Sequence, residues 1–188
     1  MAPNQPETLH FTGDAEADAL IAADPLALLI GFALDQQVTV QSAFAGPLKL
    51  RQRLGTLDAK TIAATDPDRL LEIFRERPAI HRFPGSMATR VQELAAHVAD
   101  EYDGHAEQLW MKAKDTADLK KRIGALPGYG PMKITALGSV LALRFGVAIA
   151  DPLVPPHACL GAVDSPEALA DYQSKKRAHK AAMRAAKS

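Results

Sequence analysis

The chain has 188 residues with 22 basic and 22 acidic side chains, 47% hydrophobic content and one cysteine, the totals of a cytoplasmic globular protein of one unit or two small lobes. Cys159 has no partner within the chain, which excludes an internal disulfide, an all-cysteine zinc site and a four-cysteine iron–sulfur cluster. The longest apolar run, Pro25 to Leu34, is about half of the ~20 residues a membrane helix needs, and Met1 to Pro6 lacks the basic start and apolar middle of a secretory leader, so no membrane contact is expected.

In chain order the elements read as helices, and no stretch alternates polar and apolar residues as a strand would. After a mobile start, Asp14 caps a short helix ending near Ala23. Asp24-Pro25 is an N-cap followed by proline at the first helical position, and it opens Leu26 to Leu34, apolar on every face and therefore central. Thr39 starts a helix that Gly55 ends after Leu54, with Pro47 as a bend or a restart. Asp58 and Asp66-Pro67 begin two short helices, the second running to about Arg77. Ser86 caps the next, through about Tyr102, and Gly104 ends it. Thr116 caps a basic helix, Asp118 to Gly124, which leads through Leu126-Pro127-Gly128-Tyr129-Gly130 into an apolar helix from Pro131 to about Phe145. Pro152, Pro155 and Pro156 allow no long helix, and Ser165-Pro166-Glu167 starts a final basic helix with a frayed end.

The zero net charge conceals an alternation. Counted as basic minus acidic, residues 1–48 carry −6, 49–90 +4, 91–118 −5, 119–150 +5, 151–173 −4 and 174–188 +6. A chain that is neutral overall can still present basic faces to phosphate, although simple surface clustering gives the same pattern. If phosphate is the partner, the three basic blocks belong around one cleft and the first 48 residues mostly turn away from it.

The turn between the basic and apolar helices carries the chemistry. Gly128 and Gly130 let the backbone turn tightly with its amides uncovered, and the following helix adds unpaired N–H groups and the positive end of its dipole. That is a phosphate-binding arrangement, or else a purely structural turn. A nucleotide P-loop is excluded because the preceding segment, Asp118 to Ile123, is a charged helix rather than a buried strand. His97, Glu101 and His105 have ligand-like spacing, but Gly104 interrupts their helix and no side-chain metal site is expected.

Leu126 to Gly130 with Lys133 and Ala136 resembles the helix–hairpin–helix of the HhH-GPD superfamily of base-excision DNA glycosylases. The likeness extends to Asp24-Pro25-Leu26 through Leu34-Asp35-Gln36-Gln37-Val38, similar to that superfamily's buried first helix, and to Phe83-Pro84-Gly85-Ser86. It covers roughly residues 24–151, with the hairpin motif at about 117–146. Residues 1–23 precede this region, and 152–188 add a proline-rich loop and the basic helix. The Ala43 to Pro47 segment narrows the likeness to a group of short bacterial members.

The resemblance implies an all-α, two-lobed fold binding lesion-containing duplex DNA as a monomer in the nucleoid. Gly128, Tyr129, Gly130 and Lys133 would contact phosphates, with Gln36 and Gln37 near the flipped base, though the glutamines also read as polar residues ending a helix. A monovalent cation on the hairpin carbonyls is compatible with it, an iron–sulfur cluster is not, and no other cofactor is implied. The catalytic aspartate would be Asp151, twenty-one residues after Gly130, stabilising oxocarbenium-like charge and orienting water; Asp151-Pro152 also reads as a turn starter. Bifunctional members carry lysine two residues after the second glycine, where Met132 stands here. Lys133, rotated by about 100°, is expected on phosphate and the activity is expected to be monofunctional. The alternatives are a non-catalytic hairpin DNA-binding protein and a helical protein-interaction domain.

Overall fold

The computed structural model describes residues 4–187, so Met1 to Pro3 of the expected mobile start and Ser188 of the expected frayed end lie outside the described residues. Ten α-helices and two 3-10 turns make up the regular structure, with no strand among the described residues. They are α1 (Ala15–Ala23), α2 (Pro25–Leu34), α3 (Val40–Leu54), α4 (Ala59–Ala64), α5 (Pro67–Arg75), α6 (Pro84–Tyr102), α7 (Gln108–Met111), α8 (Thr116–Gly124), α9 (Pro131–Leu143) and α10 (Pro166–Ala185), with 3-10 turns at Ala148–Leu153 and Leu160–Ala162.

Polar caps set most of these starts. The carboxylates of Asp14, Asp24, Asp58 and Asp66, and the hydroxyls of Thr39 and Ser165, each accept from an amide in the first turn they open. Two expected caps are displaced. Asp115, not Thr116, caps α8, because the Thr116 hydroxyl donates instead to Ile149 O at 2.7 Å. Ser86 lies inside α6, which begins at Pro84, a residue with no N–H to satisfy at that position. α3 runs through Pro47 without a restart, α5 stops at Arg75 and α9 at Leu143.

The residues before α1 are packed. Leu9 and Phe11 are buried, and the Asp18 carboxylate gathers the amides of Phe11, Thr12 and Gly13 together with the Thr12 hydroxyl. Four donors on one carboxylate pin this segment to α1, so the expected mobility does not extend to it.

α1, α2 and α3 pack together, and α4 and α5 lie on α6, which reaches α2. The second lobe centres on α9, against which both 3-10 turns pack, with α8 alongside. Tyr129 ties the lobes. Its ring is buried and its hydroxyl donates to Leu29 O in the middle of α2 at 2.6 Å. α2 itself is buried from Leu26 to Leu34, as its all-round apolar sequence demands.

The second 3-10 turn approaches α9 at Gly161, whose N–H donates to the buried Ser139 hydroxyl at 3.1 Å. A Cβ at Gly161 would stand 2.2 Å from the Ser139 carbonyl oxygen, backbone against backbone. Gly161→Ala is expected to destabilise the fold by about 1–3 kcal/mol, read as a lower denaturant midpoint with an unchanged slope.

Candidate nucleic-acid interface

The hairpin joins the end of α8 to the start of α9. Gly128 has φ +79°, a left-handed conformation that side chains other than glycine adopt with strain, and Tyr129 N donates to Leu126 O at 3.1 Å to close the turn. The N–H groups of Gly128, Gly130, Met132 and Lys133 have no acceptor among the described residues, as befits a surface for an anion at a helix start. The carbonyls of Pro127 and Gly128 likewise accept nothing among the described residues, and such oxygens fit a monovalent cation. The Tyr129 side chain, expected at the DNA, is instead buried as the pin on α2, and burial pushes its hydroxyl well above the usual phenol range. Only its backbone remains in the turn.

The glycine at 128 leaves room for one particular side chain. Arg90, from α6, lies across it so closely that a Cβ there would stand 2.5 Å from Arg90 Cδ. The Arg90 guanidinium donates to Gln36 Oε1 at 3.1 Å. Gln36 and Gln37 are both exposed, and Gln37 sits in the left-handed region at φ 57°. Holding a non-glycine residue there over-determines the backbone at the end of α2. Buried His81 fixes that same end, donating from Nε2 to Leu34 O and Gln36 O at 3.0 and 3.1 Å while Nδ1 accepts from Phe83 N.

Lys133 is half-buried and turned inward. Its Nζ lies 3.4 Å from Ala33 O, in the last turn of α2, and 5.8 Å from the centre of the Tyr129 ring. Burial, with Arg90 nearby, holds its ammonium below the usual lysine range, against the opposing pull of Asp35. Asp35 caps the C-terminal end of α2, where the helix dipole is negative, and its carboxylate accepts no hydrogen bond among the described residues. Burial raises it above the usual carboxylate range, and the charges of Lys176 and Lys133 act to lower it.

Three residues that sequence reading gave no role thus stand at the hairpin and the end of α2: Asp35, His81 and Arg90. Arg90, Lys133 and Lys176 come one from each of the three basic blocks. The remaining cations of the first block are partly internal: Arg53 donates to the carbonyls of Ile73, Glu76 and Pro78, and Arg51 pairs with Glu16. Met132, 82% exposed on the first turn of α9, leaves an apolar side chain beside the hairpin.

Asp151 lies elsewhere along α9. Its 3-10 turn is held to the first turn of α8 by the Thr116 hydroxyl and to Gly138 by Leu153, about 12 Å along α9 from Gly130. Asp151 is exposed and has no ion pair with Lys133 or hydrogen bond with Gln36 among the described residues.

Two measurements probe this geometry. Gly128→Ala must take up a left-handed φ and displace Arg90, so a loss of about 1–2 kcal/mol of stability is expected from urea unfolding. Because the native state holds the Asp35 proton more tightly than the unfolded chain, ionisation at neutral pH destabilises the fold. Asp35→Asn is therefore expected to raise the melting temperature at pH 7, with the gain vanishing as pH falls below the ordinary aspartate range.

No curated protein and no solved structure matches the chain. A family model described as HhH-GPD superfamily base excision DNA repair protein matches residues 30–180, which include the end of α2, the hairpin, Arg90 and Lys176. On that match, spanning most of the chain and the whole of the hairpin site, the protein belongs to the HhH-GPD superfamily of base-excision DNA repair proteins.

Proposed function

We propose that the protein is a monofunctional DNA N-glycosylase that hydrolyses the bond between a damaged or mismatched base and its sugar in duplex DNA. The observation that carries this reading is the meeting of two cations, Arg90 and Lys133, from two separate basic blocks at the glycine hairpin and the end of α2. Such a site suits a strained, phosphate-flanked nucleotide. The amides of Gly128 and Gly130 take phosphate oxygens, and a monovalent cation on the hairpin carbonyls would offset phosphate charge there. Gln36, Gln37 and Met132 face the space the extruded base leaves. The protein acts as a monomer in the nucleoid.

In the reaction the C1′–N bond breaks and its electron pair leaves on the base. A carboxylate opposite C1′ stabilises the oxocarbenium-like sugar and takes a proton from the attacking water, leaving an abasic site. Superfamily resemblance gives that task to Asp151. A second candidate is Asp35, which ends α2 two residues after Ala33, the residue whose carbonyl Lys133 reaches from the hairpin side. A neutral carboxyl there can also protonate the departing base.

The test is alkali-induced cleavage at abasic sites on duplexes bearing uracil, alkylated or oxidised bases. On the lesion that is processed, the variant of the working carboxylate, Asp151→Asn or Asp35→Asn, is expected to lose at least 10²-fold in kcat while duplex affinity holds. Product on no lesion would favour a non-catalytic hairpin DNA-binding protein. Absence of duplex binding as well would leave the helical interaction domain.

A further inference from the structure

α10 is anchored at its beginning and runs on exposed. Leu169 is buried, Tyr172 packs on the core, and Gln173 exchanges two amide hydrogen bonds with Gln41 of α3, at 2.7 and 3.2 Å. The His157 ring stacks on His179, with centroids 5.7 Å apart and planes 3° from parallel. From Ser174 to Lys187 every residue is nonetheless exposed. A helix that buries nothing must be stable on its own terms, and this stretch is built for that. Ala178, Ala181, Ala182 and Ala185 are the strongest helix formers, Asp171 pairs with Lys175 one turn on at 2.7 Å, and basic residues stand at the negative end of the dipole.

The cations are not scattered around it. At about 100° per residue, Lys176, Arg177, Lys180, Arg184 and Lys187 fall within a sector of about 100°, and no acidic side chain follows Asp171. That sector overlaps the side bearing Leu169 and Gln173, the side by which the helix docks. Where the body ends, the docking face therefore continues as a basic stripe. The stripe begins at Lys176, one turn beyond Gln173, whose hydrogen bonds to Gln41 tie α10 to the chain just after Asp35-Gln36-Gln37, and it leads outward for about 16 Å. Lys175, paired with Asp171, lies on the opposite side.

We infer that the C-terminal half of α10 is a second contact for duplex DNA, an arm whose basic stripe extends the phosphate binding of the hairpin along the backbone. This rests on the glycosylase function proposed for the hairpin site. The occupant follows from charge complementarity and from continuity with the hairpin site. A duplex carries one charge per about 1.7 Å of its axis, so a 16 Å stripe faces more phosphates than it has cations, and each cation can release about one counterion. The arm contributes affinity without base preference, since an overhanging lysine and arginine stripe reads no base edge.

The experiment measures affinity for an undamaged duplex between 50 and 200 mM KCl with the full-length chain, its Arg177→Ala/Lys180→Ala/Lys187→Ala variant and Lys175→Ala. Alanine preserves the helix, which circular dichroism verifies. The triple variant is expected to flatten the log–log salt slope by about 2–3, at about 0.9 for each phosphate it no longer neutralises, and Lys175→Ala to leave it in place. An unchanged slope in the triple variant overturns the arm while leaving hairpin-mediated DNA binding intact. A wild-type chain with no salt-dependent duplex binding overturns the DNA reading and the arm together. Binding of phosphatidylserine vesicles that the triple variant loses, with its duplex slope unmoved, assigns the stripe to a membrane surface and overturns the proposal.

Discussion

The hydrogen bond from the Tyr129 hydroxyl to Leu29 O is the constraint on which the site depends. A glycine turn exposes amides readily, but flexible amides bind phosphate poorly because ordering them opposes binding. By sinking the one bulky residue of the turn into the other lobe, the chain fixes both flanking glycines without covering them. The phenol bonds to a helix that is itself buried along its length, so the anchor cannot drift. The same anchor brings the first turn of α9 to the last turn of α2, and that is why Lys133 reaches Ala33 O.

The neutral net charge acquires a physical meaning from this junction. The acidic first block is used chiefly inward: Asp18 gathers the N-terminal segment, and Asp14 and Asp24 cap helices. These carboxylates are matched to N–H donors and leave little negative field at the surface. Basic blocks contribute selectively, since Arg53 is bound to carbonyls and Lys60 pairs with Asp103. Exposed cations remain on several elements, Arg75, Arg82, Lys112 and Lys121 among them, and the densest run of them lies along α10 from Lys175 to Lys187. Sorting charge by donor satisfaction, rather than by net balance, produces a basic face on a neutral chain.

The fold was legible because its signals are local. An aspartate before a proline, a threonine before an apolar run and a glycine after a leucine each act within one helical turn, and α2, α3 and α5 start where those signals lie. The hairpin was legible for the same reason. The rest of the site was not, because Asp35, Arg90 and Lys176 are 55 and 86 residues apart and become neighbours only through packing. Thr116 and Ser86 misled as caps because a tertiary partner, Ile149 O, and a proline start took precedence over local preference. The reach of Lys133 to Ala33 O was not legible either, because rotation about the helix gives a direction from the axis and not what lies there, which is α2.

The contrast between aspartates sharpens what Asp35 is for. Asp18 receives four donors, and Asp24 accepts from two amides at a helix start that oppose the upward push of its burial. Asp35 stands at the opposite end of the helix that Asp24 opens, against the dipole, partly desolvated and without a donor among the described residues. Asparagine at this C-cap would avoid both penalties, so nothing in the folding of α2 explains the charge. Two lysines from distant elements, Lys133 and Lys176, compensate it in part, and Lys133 is held there by its approach to Ala33 O. A carboxylate that the fold tolerates against its own stability, beside the carbonyls that Lys133 and His81 reach, fits a functional role better than a structural one.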